Sequence, residues 1–189
     1  MKILAGKYKG KVIKRKVPDG VRPTQDSVKE SMFNTLINIV DFEDAVIADV
    51  CAGTGALGFE ALSRGAKKTY FIEKSKSTVD FLNSAARELG CIADEYEILF
   101  ADAIYGLKSL ITDRTDVQFD IIFTDPPYES TIPNEILALA AKSNLLAEDG
   151  IIVVEISTGE SLIVPDELEI FKEKIYGGTK IVYLSSSSS

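Results

Sequence analysis

Short apolar runs alternate with segments of helical periodicity through the middle of the chain. The runs are nearly continuous and rich in Ile, Val and Phe, which is typical of strands buried on both faces of a parallel sheet. Gly65 and Gly90 end two of the intervening segments, as glycines commonly end helices. The alternation therefore predicts a doubly wound α/β fold. The predicted strands span residues 45–50, 69–72, 96–100, 119–124 and 150–156, and the predicted helices span residues 56–64, 77–89, 103–112 and 133–146.

The two ends of the chain depart from this alternation. Near the N-terminus, short apolar stretches flank Lys9-Gly10 and predict a hairpin, and residues 27–40 have the apolar spacing of a helix capped by Thr24 or Asp26. Near the C-terminus, Gly177-Gly178 separates two further strand-like runs, which indicates an antiparallel C-terminal strand pair over residues 168–174 and 179–184. We expect a mostly parallel, seven-stranded sheet with a small basic N-terminal extension.

Length and composition place these elements in one domain with an appendage. The chain has 189 residues, of which 46% are hydrophobic, so it can bury a full core. We assign residues 1–40 to the N-terminal hairpin and helix, residues 41–184 to the main domain, and the serine run 185–189 to a disordered tail.

The chain has no histidine and only two cysteines, Cys51 and Cys91. Without histidine, Ser-His-Asp and Cys-His nucleophiles, histidine-ligated zinc and imidazole acid–base catalysis are excluded. Two cysteines are too few for a disulfide framework or a cysteine-only zinc site, so we expect no metal and a reducing, cytoplasmic location. Because no apolar stretch reaches membrane-spanning length, we also expect no membrane partner.

The charge is unevenly distributed. The net charge is −8, yet residues 1–40 hold nine Lys and Arg against three Asp and Glu. A basic arm on an acidic body is typical of an appendage that binds a polyanion, although a solvated lysine-rich hairpin without a partner has the same composition. The candidate phosphate contacts are Lys7, Lys9, Lys11, Lys14, Arg15 and Lys16.

A glycine-rich turn follows the first predicted strand of the main domain. Its sequence, Gly53-Thr54-Gly55-Ala56-Leu57-Gly58, matches G-x-G-x-x-G and opens a predicted helix, which is the context that this motif requires. Glu73 ends the next strand and could accept both hydroxyls of an adenosine ribose, unless it is only a surface charge. The motif alone fits NAD, FAD or S-adenosylmethionine.

Further acidic residues favour S-adenosylmethionine. Asp49, before the glycines, could interact with the cationic amino-acid end of that cofactor, and Asp102, after the third strand, could meet the adenine amino group. The alternatives are that Asp49 caps amides of the turn and that Asp102 is a helix N-cap. The predicted cofactor contacts are Asp49, Ala52, Gly53, Thr54, Gly55, Glu73, Asp102, Ala103 and Asp125.

The string Asp125-Pro126-Pro127-Tyr128 follows the fourth predicted strand. Neither proline can donate a backbone hydrogen bond, so the Asp125 carboxylate and the Pro126 carbonyl can act together as acceptors beside the flat Tyr128 ring. Such a slot suits a nucleobase that carries an exocyclic amine. Because the first and fourth strands of a doubly wound sheet are neighbours, the slot and the glycine turn should face one crevice.

These motifs resemble those of a known family. Asp125-Pro126-Pro127-Tyr128 resembles the (D/N/S)-P-P-(Y/F/W) signature of amino-group methyltransferases that use S-adenosylmethionine. Residues 22–34 and 52–66 are similar to segments of the bacterial 16S ribosomal RNA guanine-N2 methyltransferase family, and the resemblance extends from residue 2 to about residue 184. It implies a Rossmann-like methyltransferase sheet, S-adenosylmethionine as cofactor, the small ribosomal subunit as partner, and N2 of guanine 966 of its RNA as target.

The resemblance also implies roles for individual residues. Asp125 and Pro126 would accept hydrogen bonds from the target amine, and Tyr128 would stack on the base, so these are the predicted catalytic residues. Arg22 and Thr24 would lie over the methionine end of the cofactor and border the RNA entrance. We expect the protein to act as a monomer.

Three alternatives stay open. The pocket motif is shared by enzymes that modify adenine N6 or cytosine N4 in RNA or DNA. An NAD-dependent oxidoreductase would explain the glycine turn and Glu73 but would leave residues 125–128 without a role. A non-catalytic RNA-binding assembly factor would keep the basic arm and need no turnover.

Overall fold

The computed structural model describes residues 1–21, 24–113, 117–127 and 129–187, apart from the side chain of Asp113. Its seven-stranded sheet has the order β3-β2-β1-β4-β5-β7-β6. Strands β1 to β5 pair in parallel, and β7 runs antiparallel to both β5 and β6. The strands are β1 Val46–Val50, β2 Lys68–Glu73, β3 Tyr96–Phe100, β4 Phe119–Thr124, β5 Leu146–Ser157, β6 Leu168–Tyr176 and β7 Thr179–Ser186.

Helices cover both faces of the sheet. They are α1 Asp26–Leu36, α2 Ala56–Ser63, α3 Lys76–Leu89, α4 Ala103–Asp113 and α5 Ile132–Lys142, with a 3-10 turn at Ala93–Glu95. The first three helices and the N-terminal residues pack on one face, which we call the α1 face, and α4 and α5 pack on the other. Along β4, Ile121 and Phe123 point to the α1 face and Ile122 points to the opposite face, as strand alternation requires.

The predicted fold class is confirmed: the protein has a doubly wound, mostly parallel α/β sheet with an antiparallel C-terminal pair. The predicted helix over residues 133–146 is too long at its end. It stops at Lys142, Ser143 is extended with φ −139°, and Leu146 already pairs with Phe119 as the first residue of β5. Leu145 and Leu146 continue the apolar spacing of the helix, but both are buried where β5 begins beside β4.

The predicted disordered tail is wrong for residues 185–187. Ser185 lies in β7 opposite Ile151 and Glu169, and the Ser187 N–H donates to the Glu167 carbonyl at 2.9 Å. Strand pairing uses backbone groups, so a serine run can continue a strand that its apolar neighbours have set in register. Residues 188 and 189 lie outside the described part of the chain, and the boundaries proposed for the two domains stay predictions.

The N-terminal hairpin is present in reduced form. In place of two strands, the described structure has a single antiparallel bridge between Lys2 and Val12, supported by a hydrogen bond from the Ile3 N–H to the Lys11 carbonyl at 3.0 Å. Ile3 and Ile13 are buried in the core of the α1 face. The hairpin therefore packs against the main domain instead of extending from it.

A buried ionic cluster joins the hairpin to the helices. The Glu60 carboxylate accepts the Leu4 and Ala5 N–H groups at 2.8 and 3.0 Å. Lys29 Nζ lies 3.4 Å from Glu60 Oε2, and Arg64 lies 3.0 Å from Oε1. Burial lowers the pKa of Lys29, and Glu60 opposes that effect. Because a buried charge is costly without its partner, these residues tie the N-terminal segment, α1 and α2 together.

None of the described helices is both long enough and apolar enough to cross a membrane.

Candidate active site

A cavity of about 570 Å³ opens at the carboxyl ends of the central strands. Its position, where β1 and β4 are neighbours, is the switch point at which doubly wound sheets bind ligands. The glycine turn and the residues after β4 share its wall, so the structure brings the two sequence motifs together. The predicted site residues in the wall are Thr24, Ala52, Gly53, Thr54, Glu73, Asp102, Ala103, Asp125 and Pro126.

Carboxylates lie at the ends of neighbouring strands on the α1 face. Each follows by two residues a side chain buried in the core of that face, so strand alternation directs all of them to the same side of the sheet. In the spatial order of the strands they are Glu73 in β2, Asp49 in β1, Asp125 after β4 and Glu155 in β5. The row places four carboxyl groups along this side of the cavity.

Three carboxyl groups of this row, those of Asp49, Asp125 and Glu155, have raised pKa values. Burial raises the pKa of Asp49 to about 8, with Asp125 and Glu73 adding to the effect and the Gly58 N–H opposing it. Burial, followed by repulsion from Asp125, raises the pKa of Glu155 to about 8. A cation bound among these groups would favour their ionised forms. The row is therefore suited to a positively charged ligand.

Asp49 fixes the glycine turn. Its Oδ2 accepts the Gly58 N–H at 2.9 Å, and the side chain is 3% exposed and lies behind the cavity wall. A Cβ at Gly58 would be 2.3 Å from Phe71 Cε1, so only glycine fits there. The geometry thus favours the alternative in which Asp49 caps an amide of the turn. Gly55, the N-cap residue before α2 with φ 69°, also lies outside the wall.

Glu73 connects two loops at the cavity. Its Oε2 accepts the Gly53 N–H at 3.1 Å, and its Oε1 accepts the Ser75 N–H at 2.8 Å. A carboxylate oxygen can accept more than one hydrogen bond, so Glu73 can also accept ribose hydroxyls from the cavity. Ser75 in turn caps α3 by accepting the Thr78 N–H at 3.4 Å.

Asp102 combines both of the roles considered for it. It directly precedes α4, and its Oδ1 accepts the Ile104 N–H at 3.1 Å, which is the geometry of a residue that caps a helix. Its exposed side chain also forms part of the wall, beside the buried Ala103. It is therefore within reach of a ligand on the β3 side of the cavity.

Asp125 forms the polar end of the slot. Burial raises its pKa to about 6, and a hydrogen bond from the Thr24 hydroxyl opposes that shift. Pro126 is buried and Pro127 is exposed, and both lie in the wall. Tyr128 and Arg22 lie outside the described residues, so their predicted roles stay predictions.

Thr24 does not cap α1, and neither does Asp26. Gln25 occupies the N-cap position and makes no hydrogen bond from its side chain, whereas Asp26 is the first residue of the helix. The Thr24 side chain lies beside Asp125 instead.

Tyr176 also forms part of the cavity wall, and its hydroxyl shares a hydrogen bond with the Ser31 hydroxyl of α1.

Sequence reasoning missed Glu155, Tyr176 and Thr179 as wall residues. A signal for Glu155 was present, because a charged residue inside the apolar run 151–156 is unusual for a buried strand. Tyr176 and Thr179 flank the turn between β6 and β7, and no motif marks them.

The predicted RNA-binding residues of the basic arm fall into two groups. Lys7 Nζ lies 2.7 Å from Glu95, Lys11 donates to the Leu89 carbonyl at 2.6 Å, and Arg15 lies 3.5 Å from Glu88. These contacts hold the hairpin to the end of α3 and to the 3-10 turn that follows it.

Lys9, Lys14 and Lys16 form the second group, and their side chains are exposed. Lys16 lies 3.5 Å from Asp19, whereas Lys9 and Lys14 have no ion pair with the described residues.

The cysteines and the acidic groups show no further chemistry. Burial, followed by repulsion from Glu73, raises the pKa of Cys51 to about 12, so its thiol stays protonated at neutral pH. Over the described ranges, no three His, Cys, Asp or Glu side chains are grouped so that they could hold a metal ion.

Comparisons with known proteins identify relatives along nearly the whole chain. The family model described as "Conserved hypothetical protein 95" matches residues 1–185. The ribosomal RNA small subunit methyltransferase D of Haemophilus influenzae is 33% identical over 177 residues, covering 94% of this chain and 89% of that protein.

Solved structures agree with this result. The structure of yhhF from Escherichia coli, described as a candidate methyltransferase, has a TM-score of 0.83 at 29% identity and covers 100% of this chain and 99% of that chain. SMU.776, a candidate methyltransferase complexed with SAH, shares the fold, with a TM-score of 0.64 at 14% identity over 82% of this chain and 48% of that one.

The family predicted from the motifs is confirmed by these matches. They support methyl transfer to ribosomal RNA as the activity of the protein. The chain belongs to the bacterial ribosomal RNA small subunit methyltransferase D family, whose model is the one described as "Conserved hypothetical protein 95".

Proposed function

We propose that the protein transfers the methyl group of S-adenosylmethionine to the exocyclic N2 of a guanine in the 16S RNA of the small ribosomal subunit. One observation carries this proposal: Asp125 and Pro126 lie in the wall of the same cavity as Gly53 and Glu73. The hydrogen-bond acceptors for the target amine and the glycine turn for the cofactor thus face the same cavity.

The charge of the cavity supports S-adenosylmethionine over NAD or FAD. The wall contains Glu73, Asp102, Asp125 and Glu155, and among the described residues its basic side chain is Lys74. NAD and FAD carry an anionic pyrophosphate, which these carboxylates would repel, whereas S-adenosylmethionine carries a sulfonium and an ammonium group. The residues present therefore fit that cofactor. SMU.776, described with bound SAH, supports the choice at the level of the fold.

The residues that would hold the cofactor follow from the geometry. Glu73 would accept the ribose hydroxyls, Asp102 would face the adenine end, and the turn at Gly53 and Thr54 would lie along the cofactor. Asp49 would act from behind the wall, by holding the turn in shape. When bound, S-adenosylmethionine supplies an electrophilic methyl group.

The slot supplies positioning for the target amine. The lone pair of guanine N2 is delocalised into the ring, so the amine is a weak nucleophile. Hydrogen bonds from the amine to the Asp125 carboxylate and to the Pro126 carbonyl would orient that lone pair toward the methyl group. As the new N–C bond forms and the C–S bond breaks, the nitrogen releases a proton, which Asp125 can accept and pass to solvent. This chemistry requires no histidine.

The RNA would approach from the side of α1 and the basic arm. Lys9, Lys14 and Lys16, whose side chains are exposed, would contact phosphates and position the RNA. A target base in folded RNA would have to leave its stack to reach the slot. We propose that the reaction takes place in the cytoplasm, where small subunits are found, and that the enzyme acts as a monomer without a metal.

Labelled methyl transfer tests the proposal. Small subunits from cells that lack this enzyme are incubated with the protein and radiolabelled S-adenosylmethionine, and the RNA is then digested to nucleosides. Label in N2-methylguanosine is the expected result. Label on adenine N6 or cytosine N4 would contradict the assigned base, and absence of label despite measured cofactor binding would contradict the enzymatic function on this substrate.

A further inference from the structure

Glu155 is an unexplained carboxylate in the wall of the cavity. It interrupts the apolar run of β5, and its Oε2 is buried without a hydrogen-bond partner among the described residues. Buried polar atoms almost always have a partner, and a buried carboxylate without one is costly. A donor from a ligand in the cavity would satisfy it.

The position of Glu155 indicates which ligand would approach it. Thr124 pairs with Val154, so Asp125 and Glu155 are the next residues on adjacent parallel strands. In the sheet, β4 lies between β5 and the strands β1 and β2, which carry the glycine turn and Glu73. Asp125 therefore lies between Glu155 and the proposed cofactor residues. Glu155 is on the side where the target base would lie.

Guanine differs from the other candidate bases next to its amine. The exocyclic amine of guanine is flanked by N1–H, a donor, whereas the ring nitrogen beside the amine of adenine or cytosine is an acceptor. An ionised carboxylate can only accept hydrogen bonds. A carboxylate beside the amine slot would thus bind guanine and repel the lone pair of adenine N1 or cytosine N3.

We propose that Glu155 selects guanine by accepting the N1–H of the target base while Asp125 and Pro126 hold its N2 amine. This inference rests on the proposed function and adds the residue that determines the base. The hydrogen bond would also stabilise the carboxylate form of Glu155, which burial and Asp125 disfavour.

The test varies the target base and residue 155 independently. Small subunits are reconstituted with RNA that carries either guanine or 2-aminopurine at the methylated position. 2-Aminopurine keeps the C2 amine but has an acceptor at N1. The parent enzyme and Glu155→Gln are compared, because glutamine is isosteric and can donate to that acceptor as well as accept from N1–H.

We expect the parent enzyme to prefer guanine over 2-aminopurine by about 100-fold or more in kcat/KM, as sites that hydrogen-bond a substrate NH do. Glu155→Gln should reduce this preference to about tenfold or less, with S-adenosylmethionine affinity within about twofold of the parent value. Glu169→Gln, which removes the same charge from an exposed position on β6, should retain the parental preference.

Two results would overturn the inference. One is a Glu155→Gln enzyme that keeps the full preference for guanine, and the other is a variant that loses cofactor affinity with its base preference unchanged. Failure of the proposed function is distinguishable, because in that case the parent enzyme itself would not methylate guanine. Glu155→Asp serves as a second variant if the glutamine form does not fold, and it should keep the preference at a reduced rate.

Discussion

The Thr24 side chain lies beside the Asp125 carboxylate in the wall of the cavity. This contact joins two parts of the chain that are far apart in sequence, the segment before α1 and the end of β4. It stabilises the ionised form of a carboxylate whose pKa burial raises to about 6. The N-terminal extension therefore contributes directly to the state of the proposed amine acceptor.

Removing this donor should shift the pH dependence of the rate. In Thr24→Val the pKa of Asp125 should rise further, because the hydrogen bond that lowers it is lost. The ionised carboxylate is the acceptor, so the rate should fall on the acidic side of the pH profile. The midpoint of that fall, near pH 6 in the parent enzyme, should move to higher pH in the variant. Methyl transfer rates measured across pH test this, with Thr24→Ser as the matched control. An acidic limb that does not move would contradict the role of Thr24.

Asp125 should matter for turnover far more than for cofactor binding. In Asp125→Ala the proposed acceptor of the target amine is lost, so we expect kcat to fall by about 10²-fold or more. Affinity for S-adenosylmethionine should stay within about threefold, because Glu73 and the glycine turn remain. Single-turnover methyl transfer and calorimetric titration with the cofactor measure the two quantities. Near-parental turnover would contradict the role of Asp125.

The predictable part of the site is the part that short motifs mark. The glycine turn and residues 125–128 could be located because their spacing and their place after apolar strands are specific, and the topology of a parallel sheet brings the two together. Whether a side chain on that face reaches the cavity could not be predicted in the same way. Asp49 lies behind the wall and Glu155 lies in it, although each precedes the end of an apolar strand.

Asp49 should make the folded state less stable as pH rises. Its pKa is about 8 in the folded protein, above the ordinary value of 3.8, so between these values the folded state binds a proton that the unfolded state has released. Stability from this group is therefore greatest at acidic pH and is lost as pH rises toward 8.

Asp49→Asn should reduce that loss, since the amide oxygen can still accept the Gly58 N–H. Chemical denaturation of the parent and the variant at a series of pH values measures the difference. The same decline in both proteins would show that Asp49 does not cause it.

Gly58 should tolerate no side chain. A Cβ there would be 2.3 Å from Phe71 Cε1 and 2.9 Å from Asp49 Oδ2, inside a packed core. We expect Gly58→Ala to destabilise the protein by about 2 kcal/mol, despite the helical gain that alanine brings. Gly159→Ala is the control, because a Cβ at that position would have no atom within 4 Å, and it should be close to neutral. Thermal unfolding of the two variants provides the comparison.

The basic arm shows why charge composition alone was insufficient. The excess of Lys and Arg before residue 40 indicated RNA binding, but the sequence could not show which of these residues pair with the acidic body. Lys7, Lys11 and Arg15 contact Glu95, the Leu89 carbonyl and Glu88, and so serve the packing of the hairpin. That pairing depends on how the hairpin packs against α3, which is a tertiary contact.

Lys9 and Lys14 should therefore contribute to RNA binding without contributing to stability, because their side chains are exposed and unpaired among the described residues. Replacing both with Gln should weaken binding to the small subunit RNA roughly tenfold and lower the slope of log affinity against log salt by up to about two. Lys142→Gln, which changes an exposed lysine of α5 on the opposite face of the sheet, is the matched control and should leave the slope unchanged. Lys11→Met should instead lower the thermal stability, because it removes the hydrogen bond to Leu89. An unchanged salt slope in the Lys9 and Lys14 variant would refute a role for the arm in RNA binding.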